Sequence, residues 1–446
     1  MPAWLSWIPV AGGAALIGSA SVAAAVLIAA VATSRPRRLL VALLAAIPGA
    51  AVGLAIAWVT TVPLDLFDVQ LSPTSLAWIG AAFAAIGIAV AAIVQGRVRR
   101  RVLGAIAIVL AVLAGAAGVN ADFGQYPTLG SFVDQPIALP LAHPLAAAQA
   151  ADAPGDSPLT AAEAAAPAAA LWRGTPVVGA PRDGVVARVT IPATVSHFAA
   201  RPAYVYLPPA ALVPHPAPLP VLVFLSGQPG APQNVIQAGR MAQLMDAFAH
   251  THGGRAPIVV APDQLGAPAS NPMCVDSALG DSATYLTVDV PNWIRTHLAV
   301  EPQPAAWAIG GFSQGGTCSI QLGAAHPDLF RSIVDVSGQL RPANGTPAQT
   351  VARGFHGDAA AYRAAWPLSV LAAHSPYARE VGVFGSGSLD AKYGPQSDAV
   401  AAAARAAGIA TTRVVSPGTA HDWHTVQWVL GTPSAPVWRH LGIERP

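Results

Sequence analysis

The sequence predicts an N-terminal region of four membrane-spanning helices followed by an α/β domain with a mostly parallel sheet. Three observations carry that expectation. Four long uncharged apolar runs crowd into residues 1–120; short apolar runs alternate with helical patterns from residue 182 onward; and one serine stands between glycine pairs where such a run meets a helix, in "AWAIGGFSQGGTC".

The runs Val10–Ala32, Leu39–Thr60, Ser75–Val94 and Val102–Val119 are free of charge, and each approaches the roughly 20 residues that a hydrocarbon core of about 30 Å requires. A buried core helix would also be apolar, but four such runs in succession favour a bilayer. The extreme N-terminus has no basic region and three more spans follow the first, which speaks against a cleaved signal peptide. Arg35, Arg37 and Arg38 separate the first two spans, and Arg97, Arg99, Arg100 and Arg101 the last two, whereas the intervening loop carries only Asp65 and Asp68. Basic loops stay cytoplasmic. The expectation is a multi-pass cell-membrane protein whose N-terminus, and everything after Val119, lies outside.

Composition agrees. Charged residues are 10% and apolar residues 53% of the 446, too little charge for one ordinary soluble domain. A net charge of +2 offers no basic face for nucleic acid. Residues 121–181 read as an extracellular linker, Ala/Pro-rich from Leu139 to Pro181, with a short helix near Thr160–Trp172.

In 182–446, Val185–Ile191 and Tyr204–Leu207 read as strands. "PVLVFLSG" and "PIVVAPD" are fully apolar, as central parallel strands are. Between them Gln237–His250 has helical character. Asp289–His297 is helical, with Pro291 tolerable only in its first turn. Ala305–Ile309 is the strand before the serine and Gln314–Ala325 the helix after it. "SIVDVSG", "EVGVFGSG" and "TRVVSPG" supply further strands, with Asp398–Ala407 helical between the last two. Such alternation implies a parallel sheet with its site at the carboxyl ends of the strands.

Gly311-Phe312-Ser313-Gln314-Gly315 fits G-x-S-x-G. A sharp strand-to-helix elbow strains the serine backbone and leaves no room for neighbouring side chains, which explains the glycines. A serine hydroxyl is a weak nucleophile at neutral pH and needs a base oriented by a third group. On this kind of sheet the order is serine, acid, histidine. "SPGTAHDWHTVQW" offers His421, directly after the Gly418 turn, and His424, one helical turn later and facing solvent; His421 is the better base. His326 caps the elbow helix. Asp390, in "GSGSLDAKYG" just after a strand, is the acid. Its rival Asp398 opens the next helix as an N-cap, Asp335 lies within a strand and Asp358 in an insertion. An oxyanion hole needs two backbone N–H groups; Gln314 supplies one and Gln228 the other, with Gly227 as the alternative.

The pieces "VFLSGQPG", "VVAPD", "TYLTVDVPNWIRTHL", "GGFSQGGTCSIQLGAAHPDLF", "SIVDVSG", "GSGSLD" and "GTAHDWHTVQW" together resemble the α/β-hydrolase esterase family that includes esterase D and the antigen 85 mycolyltransferases, over about Val185–Leu430. The four-span front end looks like that of membrane-attached actinobacterial esterases. The resemblance implies an α/β-hydrolase fold, Ser313, Asp390 and His421 as triad, and no metal or organic cofactor. Mycolyltransferase-like members carry a charged trehalose-binding loop, but "SGQPGAPQN" has no charge, which argues against sugar mycolylation.

Cys274 and Cys318 fall in neighbouring parts of this domain and predict one disulfide; two separately buried thiols are the other reading. Gln339–Pro376 is long for a connection and predicts a helical cap, where Phe355, Tyr362 and Trp366 serve as an acyl pocket or as ordinary packing. The expected function is an outward-facing serine esterase acting on an acyl or aminoacyl ester of an envelope lipid, with the bilayer and that ester as its partners. An envelope acyltransferase or a non-catalytic envelope binding protein are the alternatives.

Overall fold

From residue 185 the apolar runs pair into one eight-stranded sheet. Its strands are β1 (Val185–Val189), β2 (Ala203–Leu207), β3 (Val221–Leu225), β4 (Ile258–Ala261), β5 (Trp307–Phe312), β6 (Ser332–Val336), β7 (Val381–Gly387) and β8 (Ala410–Ser416). They lie in the order β1-β2-β4-β3-β5-β6-β7-β8. Only β1–β2 and β2–β4 are antiparallel; every other neighbour is parallel. This computed structural model describes residues 8–32, 34–66, 68–133 and 159–445.

Side-chain pattern explains the order. The runs "VLVFL" and "WAIGGF" are buried at every position and occupy the middle of the sheet, as strands covered on both faces must. "ATTRVVS" is richer in polar residues, is mostly half-exposed and forms an edge. Helices Met241–Thr251, Val290–His297, Gln314–Ala325 and Gly394–Ala406 connect the parallel strands, giving the α/β-hydrolase architecture.

Several boundaries differ from expectation for local reasons. The helix expected over Gln237–His250 is two, Pro232–Gln237 and Met241–Thr251, because Arg240 adopts φ 49°. Helix Val290–His297 accepts Pro291 in its first turn and follows a π-helical turn, Tyr285–Asp289. The helix expected from Asp398 begins four residues earlier, at Gly394. Asp398 is therefore not an N-cap; it lies inside the helix and pairs with Arg413 Nε at 2.7 Å. The segment after β6 forms three short helices, Pro347–Gly354, Ala359–Ala364 and Pro367–His374.

Of the expected linker, residues 134–158 lie outside the described residues. Beyond them Thr160 caps the short helix Ala161–Ala165 through a capping box with Glu163.

Among the described residues, the N-terminal region holds four helical segments long and apolar enough to cross a membrane: Gly13–Val31, Pro36–Thr61, Pro73–Gln95 and Val98–Phe123. The second has one break, at Ala45. Small residues let these helices touch: a Cβ at Gly49 would stand 2.4 Å from the Phe83 carbonyl oxygen, and one at Gly87 2.2 Å from that of Ala45. Ser72 caps the third segment, its Oγ accepting the Ser75 N–H at 3.0 Å. By contacts the chain divides into two units: Met1–Gln135 with Leu389–Lys392 and Ala420–Trp423, and Pro136–Ser388 with Tyr393–Thr419 and His424–Pro446.

Candidate active site

Ser313 occupies the turn between β5 and helix Gln314–Ala325, with φ 58° and ψ −116°. That left-handed φ is costly for a residue with a side chain and persists only where the surroundings impose it. Here they do. The Ser313 N–H donates to the Val336 carbonyl of β6 at 2.8 Å. A Cβ on Gly311 would lie 2.2 Å from the Gly315 carbonyl oxygen, and one on Gly315 would lie 2.4 Å from that of Ser226. The contacts are backbone on both sides, so neither glycine could be replaced without moving β3 or the helix. The motif is thus a packing requirement that lifts one serine to the end of the sheet.

The loop after β3 runs beside this turn: a Cβ on Gly227 would be 3.4 Å from Ser313 Cβ. Gln228 follows, and its Nε2 donates to the Ala269 carbonyl at 3.0 Å. Gln314, buried, occupies the first position of the elbow helix, where backbone N–H groups have no partner within the helix. Its side chain works separately. Gln314 Oε1 accepts from Gln264 Nε2 at 3.1 Å, and Gln314 Nε2 donates to Asn271 Oδ1 at 2.9 Å. Gln264 Nε2 also donates to the Ser226 carbonyl at 2.6 Å. A buried amide network thereby joins the end of β3, the loop after β4 and the elbow.

Sequence reasoning missed Gln264 and Asn271; the available signal was their place just past "VVAPD", at the carboxyl end of β4. Asp263, in the same loop, is fully buried and receives Arg201 Nη2 at 2.7 Å and Nε at 2.8 Å, while Arg201 Nη1 donates to the Gly230 carbonyl at 3.1 Å. Cys274 and Cys318 are joined as a disulfide across 44 residues, tying this loop to the elbow helix.

Asp390 follows β7 and His421 follows β8. Their roots are fastened together: the Ser388 N–H donates to the Ser416 carbonyl at 2.9 Å, and the Gly418 N–H to Ser388 Oγ at 2.8 Å. Asp390 Oδ2 lies 3.0 Å from His421 Nδ1, and both side chains are buried. A carboxylate there fixes the ring with Nδ1 protonated and leaves Nε2 as the basic nitrogen.

The rivals are occupied elsewhere. His424 is exposed, Asp398 holds Arg413, and Asp358 caps helix Ala359–Ala364 by accepting the Ala360 and Ala361 N–H groups. His326 ends the elbow helix. Asp335, within β6, is buried and accepts the Gly338 N–H at 2.9 Å; burial pushes its carboxyl up to about 7, against the pull of that N–H and of Arg413. Tyr362 packs between the rings of Phe355 and Trp366, tilted against Phe355 at 5.3 Å between centroids and edge-on to Trp366 at 5.5 Å. Among the described residues no group of three His, Cys, Asp or Glu side chains could hold a metal ion.

Comparison with known proteins adds the following. A family model described as "Putative esterase" matches residues 199–440. An uncharacterized protein of Corynebacterium glutamicum is 35% identical over 277 residues, covering 61% of this chain and 60% of that protein. The MPT51/MPB51 antigen of Mycobacterium tuberculosis is 33% identical over 72 residues, 16% of this chain and 23% of the antigen. The chain thus spans 60% or less of the length of these curated relatives. Among solved structures, a ferulic acid esterase aligns with a TM-score of 0.49 at 18% identity, over 58% of this chain and 98% of its own. An S-formylglutathione hydrolase from Agrobacterium tumefaciens aligns with a TM-score of 0.47 at 19% identity, over 60% of this chain and 100% of its own.

Proposed function

Because the chain belongs to the esterase family matched over residues 199–440, we propose that it is a membrane-anchored serine esterase that cleaves an acyl or aminoacyl ester of an envelope lipid, with its catalytic domain on the outer side. The observation that carries this reading is the combination of Ser313 on a strained elbow with the bonded pair Asp390–His421.

In this mechanism His421 Nε2 takes the Ser313 hydroxyl proton as Oγ attacks the ester carbonyl. Asp390 holds the Nδ1 proton and stabilises the imidazolium. The backbone N–H groups of Gln314 and Gln228 receive the developing oxyanion, the interaction that strengthens most at the transition state. His421 then returns its proton to the departing alcohol. A water molecule, deprotonated by the same nitrogen, releases the acid from the acyl-enzyme.

Three features support the location. Four helical segments are compatible with a membrane anchor, and the arginines sit in the first and third connections, where a cytoplasmic placement puts them. The Cys274–Cys318 bridge suits an oxidising compartment. Confinement to the bilayer would raise the local concentration of a lipid substrate without further contacts.

The test is a fluorophosphonate probe on the full chain, alongside labelled envelope lipids with and without alcohol acceptors. Ser313→Ala should lose all labelling and lipid cleavage. Labelling that persists in the alanine variant removes Ser313 from the reaction, and acyl-alcohol as the main product replaces hydrolysis by transfer.

A further inference from the structure

The chain has one lysine, Lys392, and it stands two residues beyond Asp390. The stretches Leu389–Lys392 and Ala420–Trp423, which bear Asp390 and His421, group with the N-terminal helices in the first unit. Inside that unit Lys392 Nζ lies 2.9 and 2.7 Å from the two carboxylate oxygens of Asp65 and 2.6 Å from Asp68 Oδ1. Asp65 and Asp68 belong to the loop joining the second and third apolar segments, and both hold left-handed backbone, φ 42° and 53°. Aspartate tolerates that region better than most residues; two such residues in four, converging on a single ammonium group, make a built receptor. The histidine stretch has its own tie: Trp423, two residues past His421 and buried, donates its Nε1–H to Gln125 Oε1 at 2.8 Å.

The carboxylates are half-exposed, 47% and 54%, so solvent screens the pairs and their net worth to stability is small. Their geometry is another matter, since a misplacement of about 1 Å at a catalytic group can cost about 100-fold in rate. We propose that Lys392 with Asp65 and Asp68, and Trp423 with Gln125, are positioning residues through which the N-terminal helical region sets the Asp390–His421 pair. This rests on the triad reading above. Burial alone would push the Lys392 ammonium down, but its two carboxylate partners outweigh that and hold it above its ordinary value, so the grip persists through neutral pH.

The experiment uses the full chain in nanodiscs with p-nitrophenyl butyrate. Lys392→Met, Trp423→Phe and the double variant Asp65→Asn/Asp68→Asn should each lower kcat about 10-fold with KM and thermal midpoint little changed. Lys392→Glu should fall further, and adding Asp65→Lys with Asp68→Lys should recover part of the loss. The aspartate variants carry the test if Lys392→Met fails to fold. Asp390→Asn and His421→Ala are run beside them. Full activity in both would overturn the triad reading and this proposal with it. Inactive Asp390→Asn and His421→Ala beside wild-type kcat in the lysine, tryptophan and loop variants would overturn the positioning role alone.

Discussion

Ser313 and the Asp390–His421 pair are held by opposite means. Ser313 is fixed by backbone: its N–H bonds to β6, and Gly311 and Gly315 are pressed against main-chain atoms on either side. Asp390 and His421 stand on loops at the ends of neighbouring strands and are bonded to each other; Ser388 ties the roots of the loops, and Lys392 and Trp423 beside the pair bond Asp65, Asp68 and Gln125. Backbone crowding writes itself into sequence, because only glycine satisfies it. Side-chain fastening leaves no such mark, because many residue types could do it.

The contrast can be broken at its functional end first. Asp390→Asn should cut kcat about 10³–10⁴-fold by turning the imidazole to the wrong tautomer, with the thermal midpoint unchanged. Asp398→Asn should stay within about twofold, since it loses only an exposed pair with Arg413. Esterase kinetics on both variants decide it, and comparable losses would take the acid role from Asp390.

Next in size is Gly315→Ala. The new methyl group would meet the Ser226 carbonyl oxygen at 2.4 Å, backbone that cannot rotate away. Overpacking of this kind costs about 1–3 kcal/mol, so the midpoint should drop by about 2–12 °C, and turnover should fall with it. A stable, fully active alanine variant would refute backbone control of the elbow.

The smallest effect concerns Asp335, whose backbone partner Gly338 follows β6. Its carboxyl is raised from 3.8 to about 7 by burial, so the folded protein holds that proton more tightly than the unfolded chain does. The associated stability is present below about pH 4 and is lost as pH rises through about 7. The midpoint should therefore decline by a few degrees between about pH 5 and about pH 8, and Asp335→Asn should flatten the decline. Equal slopes in the two proteins would remove Asp335 as its source.

How much could be read beforehand follows the same division. The four apolar segments, the strands and the elbow rest on local pattern and glycine sterics, and they are legible. Helix starts were less so. Asp398 looked like a cap, although Pro395 just inside the helix was the better marker of its beginning. The break between Gln237 and Met241 had its signal in Gly239, at its centre. Gln264 and Asn271 lie 50 and 43 residues from Gln314, and Lys392 lies 327 from Asp65. No periodicity spans such distances, so these partners emerge only when the chain is folded.

The bridge between Cys274 and Cys318 encloses helix Val290–His297, the whole of β5 and Ser313 within one covalent ring. A single protease nick anywhere in that ring would open the chain without releasing a fragment. The severed ends would remain one molecule until a reductant reached the sulfurs, so the serine could outlive damage that would dismember an unbridged relative.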